Sequence, residues 1–130
     1  MNDATYRDEA RVEHMHFALA RLAEVFARIT RDTFVEGNDA AETILYNLTI
    51  LGEAANNVSR EYCAAHPEVD FKDMAGLRHR LIHDYANIDM DRIWFILLTD
   101  VPLWRETVDA LYSTIPPPPT ELPPNVGEFD

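Results

Sequence analysis

The spacing of apolar residues constrains this chain most. Between residues 44 and 62 they fall at Ile44, Leu48, Leu51, Ala55, Val58 and Tyr62, in steps of four and three. Such steps keep every member on one side of a helix with 3.6 residues per turn. A strand would need alternation at every second residue, and no segment shows that pattern strongly. The other side of the same helix still carries Leu45, Ile50 and Ala54. A helix apolar on two sides packs against two neighbours, so it is central in a bundle or forms an oligomer interface. Gly52 lies inside it, where glycine costs about 1 kcal/mol relative to alanine. Close approach of another backbone explains its presence. Pro67 disfavours helical geometry at His66 and stops the helix there.

Three more helices follow from the same rule. Met15, Leu19, Leu22, Phe26 and Ile29 form one stripe over residues 5–31, opposite Arg7, Glu9, Arg11, Glu13, Glu24 and Arg28. Residues 33–39 read as a turn, with Asp39 as N-cap of the glycine-containing helix. Asp70 caps a third helix, with Asp73 at its third position and Met74, Leu77, Leu81 and Ile82 on its apolar face. This helix frays near His83 to Tyr85. After the turn at Asn87-Ile88-Asp89, Asp89 caps a fourth helix striped by Trp94, Leu97, Val101, Trp104, Val108 and Leu111. Pro102 removes one hydrogen bond inside that stripe and is expected to kink the helix. The expected fold is an all-α, four- to five-helix antiparallel bundle over residues 1–115. Six of the eight prolines lie in residues 116–130, a tail expected to be disordered or to sample polyproline II for a partner.

A chain of 130 residues fits one domain and needs no disulfide to be stable. Eleven basic against twenty-three acidic residues give a net charge of −12, which argues against non-specific binding along nucleic-acid backbones. A local basic patch can still act, because charges are screened within about 10 Å. The single cysteine, Cys63, has no cationic residues around it in sequence and reads as unreactive. No apolar run approaches the roughly 20 residues of a membrane span, and the polar, acidic start is unlike a secretory signal. The expectation is a soluble cytoplasmic protein, in which the sequons at Asn47 and Asn57 carry no glycan.

The densest positive cluster is Leu77-Arg78-His79-Arg80-Leu81-Ile82-His83-Asp84-Tyr85. Arginine stays cationic and fits phosphate with a planar fork of donors. Histidine gives or takes a proton near neutrality. Arg78 and His83 are five residues apart, about 140° around a straight helix, so one helix cannot converge them. Either the helix ends between them or a second copy of the chain completes the site. His79 and His83 share a face, as do Arg80 and Asp84, which suit a surface ion pair. Three readings stay open from residue types alone. One is a solvated basic helix end favoured by the helix dipole. Another is a metal site of His79, His83 and Asp84, although the glutamate of His-Glu-x-x-His is absent, and His14 and His16 point to different faces. The third is metal-free phosphodiester chemistry.

Arg78-x4-His83-x-Tyr85 resembles the signature of HepT-like toxins of the HEPN superfamily. The segments Ile50-Leu51-Gly52-Glu53-Ala54-Ala55, His66-Pro67-Glu68, Met74-Ala75-Gly76-Leu77-Arg78, Ile88-Asp89 and Ile93-Trp94 resemble that family too, as does Pro102 in the last helix. The resemblance implies a homodimeric all-α bundle whose two motifs meet across a cleft. It implies a metal-independent endoribonuclease without cofactor, the toxin of a toxin–antitoxin pair. The implied antitoxin is a small MntA-type nucleotidyltransferase that transfers AMP to the motif tyrosine, here Tyr85.

On that resemblance the ribose 2′-oxygen attacks the adjacent phosphate, His83 acts as general base or acid, and Arg78 stabilises the phosphorane oxygens. His79, Arg80 and Tyr85 become supporting contacts to RNA, with Tyr85 able to stack on a base. The family often has asparagine where this chain has His79. The charge of −12 confines attraction for RNA to one cleft, and the substrate, a tRNA or an mRNA, is not named by the residues. A different class of function stays open: a non-catalytic helical adaptor, or nucleotide-binding partner, of a nucleotidyltransferase.

Overall fold

Helix starts are set by side chains that take up the first free N–H groups. Asp70 Oδ1 accepts the Asp73 N–H at 3.0 Å, and Asp89 Oδ1 accepts the Arg92 N–H at 3.1 Å, as the sequence predicts. The glycine-containing helix is capped one residue earlier than predicted. Asn38 Oδ1 accepts the N–H groups of Ala40 and Ala41 at 2.9 and 3.3 Å, and Asp39 occupies the first turn, where its charge suits the dipole.

The structure, a computed structural model, describes residues 3–83 and 87–117, without the side chains of Ile82 and His83. Among the described residues five α-helices form: α1 (Asp3–Phe26), α2 (Asp39–Asn56), α3 (Arg60–Ala65), α4 (Phe71–His83) and α5 (Met90–Tyr112). A short 3₁₀ turn, Arg31–Thr33, follows α1, and no strand occurs among the described residues. The chain is thus the all-α bundle expected. The proline-rich tail lies outside the described residues from residue 118 onward.

α1 packs against α2 and α5, and α2 packs against both α1 and α4. The doubly apolar α2 is therefore central within one chain. Met15, Leu19, Leu22, Ile44, Leu48, Leu51, Met74 and Leu77 are fully enclosed, on the stripes that the spacing predicts. α5 buries Leu97, Val101, Trp104, Val108 and Leu111, while Trp94 is half-buried against Phe26 and Phe34. α5 continues through Pro102. Leu98, whose carbonyl loses its donor there, lies with Pro102 on the exposed face, where water can replace the missing bond. No helix of the described residues is long and apolar enough to cross a membrane.

Two boundaries differ from expectation. α1 ends at Phe26 rather than near residue 31, and the chain after it turns so that Phe34 reaches the core at 0% exposure. The predicted long helix over residues 44–62 is two helices. The chain leaves helical geometry at Asn57 and restarts at Arg60, with the Ser59 hydroxyl accepting the Tyr62 N–H at 3.2 Å. Asp8 of α1 holds this break. Its carboxylate is only 5% exposed and accepts the Ser59 N–H at 2.8 Å and the Ser59 O–H at 2.7 Å. Val58 and Tyr62 keep the helical spacing across the interruption, so periodicity alone could not reveal it. Burial, and next the Asp8 charge, push the Cys63 thiol up, which keeps it protonated and fits its reading as unreactive.

At the α2–α4 crossing the expected close approach is present. A Cβ on Gly52 would stand 2.8 Å from the Arg78 backbone nitrogen and 3.2 Å from Arg78 Cβ. Gly52→Ala is expected to destabilise the fold, because the overpacking cost of about 1–3 kcal/mol exceeds the gain of about 1 kcal/mol in helix propensity. Asp8→Ala is expected to cost about 1–3 kcal/mol by leaving the Ser59 N–H without its acceptor. Urea denaturation of both variants checks these outcomes. A Gly52→Ala midpoint at or above that of the unmodified chain would contradict the crossing argument.

Candidate phosphodiester site on α4

Asp70 starts α4 and α2 supports its middle, so the helix presents residues 78–80 at a fixed height on the bundle. Arg78 follows from the Gly52 contact. Its backbone lies against α2 while its side chain, about half exposed, runs beside the next residue of that helix. Arg78 Nε donates to Glu53 Oε1 at 2.7 Å. A guanidinium has five N–H donors, so the two terminal nitrogens still offer their fork to another anion. Both partners of this pair are exposed enough that it adds little stability. Its effect is to fix where the guanidinium stands. Sequence reasoning gave Glu53 no role. The only signal was its place directly after Gly52, since its partner is 25 residues away.

Arg80 projects differently. It is half-buried, and a Cβ on Gly76 would meet its Nη2 at 3.3 Å. The side chain thus lies back along the helix over Gly76 and reaches Asp73 Oδ1 at 3.5 Å. The predicted partner of Arg80, Asp84, lies outside the described residues. His79 is exposed on the same helix. α4 stays helical as far as His83, so it does not end between Arg78 and His83. Of the two ways to bring that pair together, an early helix end is thereby removed. The side chain of His83 and the whole of Tyr85 lie outside the described residues.

The other histidines have local tasks. His16 Nδ1 is 2.7 Å from Asp109 Oδ1, and its ring stacks on Tyr112 at 4.1 Å, which joins α1 to α5. His14 is exposed, so the two do face apart as predicted. No group of three potential metal ligands gathers among the described residues.

Comparison with known proteins gives this arrangement a family. The model of the family described as "Ribonuclease HepT-like" matches residues 15–111. A Methanocaldococcus jannaschii protein named "Putative RNase MJ0127" is 34% identical over 67% of this chain and 72% of its own. "Putative RNase TTE0752" of Caldanaerobacter subterraneus is 31% identical over 77% of this chain and 89% of its own. "Probable ribonuclease HepT" of Thermococcus cleftensis is 28% identical over 77% of this chain and 91% of its own. No solved structure matches significantly. With its bundle, the Gly52 crossing and the Arg78-x4-His83 spacing on α4, the chain belongs to the HepT-like ribonuclease family.

Proposed function

We propose that this chain is a metal-independent endoribonuclease, the toxin of a pair whose antitoxin is an MntA-type nucleotidyltransferase. Membership in a ribonuclease family supports the reaction class. The observation that carries the reading is Arg78, held by Glu53 through Nε with its outer nitrogens turned to no other described acid. Such a cation can receive the phosphate of an RNA strand.

The reaction needs three acts. A base removes the proton from the ribose 2′-oxygen, which then attacks the neighbouring phosphorus. Charge builds on the non-bridging oxygens of the phosphorane, where the Arg78 fork meets it. The bond to the 5′-oxygen breaks, a proton returns to that oxygen, and a cyclic phosphate remains. His83 serves the proton steps as base or acid. Glu53 is a positioning residue, because it acts through Arg78. His79 and Arg80 assist phosphate binding, and Tyr85 stacks on a base.

Continuity of α4 between Arg78 and His83 supports a homodimer. The two positions are about 140° apart on one helix, so the histidine that works with a given Arg78 comes from a second copy. AMP transferred to Tyr85 would add to the motif a phosphate of the same sign as the substrate. Charge repulsion and bulk would then exclude RNA.

Cleavage of RNA by the purified chain is expected to persist in EDTA. His83→Ala is expected to lose about 10²-fold or more, and Arg78→Ala about 10²–10³-fold, with circular dichroism unchanged. Full cleavage by His83→Ala would remove His83 from the mechanism. No cleavage at any dose, with tight binding to the nucleotidyltransferase, would favour the adaptor reading instead.

A mixture of the two inactive variants tests the shared site. Heterodimers carry one intact pairing of Arg78 and His83, so mixing is expected to recover activity that neither variant has alone. No recovery, despite subunit exchange, would place both groups in one subunit.

A further inference from the structure

A second feature lies on the other side of α4. The cleft between the end of α4 and the start of α5 encloses about 300 Å³. Leu77, Leu81, Ile93 and Ile96 line it, each almost fully buried. Arg80 and Arg92 also line it. Arg80 spends only a long 3.5 Å contact on Asp73, and no acid pairs with the Arg92 guanidinium among the described residues. The Asp89 carboxylate, in the same wall, accepts the Arg92 backbone N–H and keeps further lone pairs.

These walls select a ligand. A neutral apolar molecule would leave the Arg92 guanidinium without an anion. A bare phosphate would leave the aliphatic surface bare. A nucleotide satisfies both, with its base on the aliphatic side chains and its phosphate on the Arg92 guanidinium. Asp89 can accept from a ribose hydroxyl or a base amino group. The volume is at the small end for a ligand site, enough for one nucleotide and not for several.

Position gives the role. Arg80 follows Arg78 by two residues, about 200° around the helix, so this cleft opens away from the Glu53–Arg78 pair. We propose that it is a nucleotide-binding subsite for a residue of the substrate strand away from the cleaved linkage. The assignment rests on the ribonuclease reading for the polymer it serves, but not for its affinity for a single nucleotide.

The test uses the full chain and two variants of an exposed position, Arg92→Ala and Arg92→Glu. Calorimetric titration compares AMP, adenosine and inorganic phosphate, and RNA cleavage is followed in parallel. AMP is expected to bind saturably and roughly tenfold or more tighter than either fragment. Arg92→Ala is expected to weaken AMP roughly tenfold, and Arg92→Glu further. In cleavage, Arg92→Ala is expected to raise KM by a similar factor and to change kcat far less.

Equal binding of phosphate and AMP, absence of AMP binding, or unchanged AMP affinity in both variants would each overturn the subsite. Selective AMP binding lost in the variants, in a chain that cuts no RNA, would uphold the cleft and sink the ribonuclease reading. Cleavage with an unaltered KM and no AMP binding would do the reverse.

Discussion

The place of the Arg78 guanidinium depends on how near α4 can come to α2. The limit is a missing side chain. With hydrogen at Gly52, the Arg78 backbone lies where any Cβ would collide with it. The helix pays for that glycine in propensity. In return the base of the Arg78 side chain is fixed by backbone rather than by rotamer choice. Glu53, one residue on, then receives Nε, so one turn of α2 sets both the position and the direction of the guanidinium. Scaffold and chemistry are therefore coupled at this crossing. A change that spreads the two helices moves the cation even if the core survives.

Electrostatics give the same picture on a larger scale. The chain carries a net charge of −12, and several of its arginines are matched to acids: Arg21 to Glu24, Arg31 to Asp91, Arg105 to Asp109. Arg78 and Arg80 belong to one helix and face different surroundings, one toward α2 and one over Gly76. An anionic strand would thus meet attraction along one edge and repulsion over much of the remaining surface. Orientation on such a strand would be set as much by exclusion as by contact.

Much of the fold was legible in the sequence because its signals are local. The stripes of α1, α2 and α5 need only helical spacing. Asp70 and Asp89 need only their own first turns. Gly52 was legible as a cost that some packing had to explain. What was hidden depends on distant partners. The break at Ser59 is held by Asp8, 51 residues earlier, while Val58 and Tyr62 continue the helical register across it. Phe34 enters the core from a non-helical segment, where periodicity has nothing to say. Within the candidate site the motif spacing marked Arg78 and His83. Glu53 stayed silent, since nothing in its neighbourhood announces an arginine on another helix. The sequence also offered Asp84 to Arg80, a residue outside the described ones, and did not show that Arg80 reaches Asp73, two turns back.

Asp8 has one more implication. It precedes residues 15–111, the part of the chain that the family model recognises. Its carboxylate nevertheless fastens the joint between α2 and α3, well inside that part. The leading turns of α1 thus act as a clasp, set before the matched residues and closing on a joint within them. The length of α2 in this chain is therefore set in part by a residue near the start of α1.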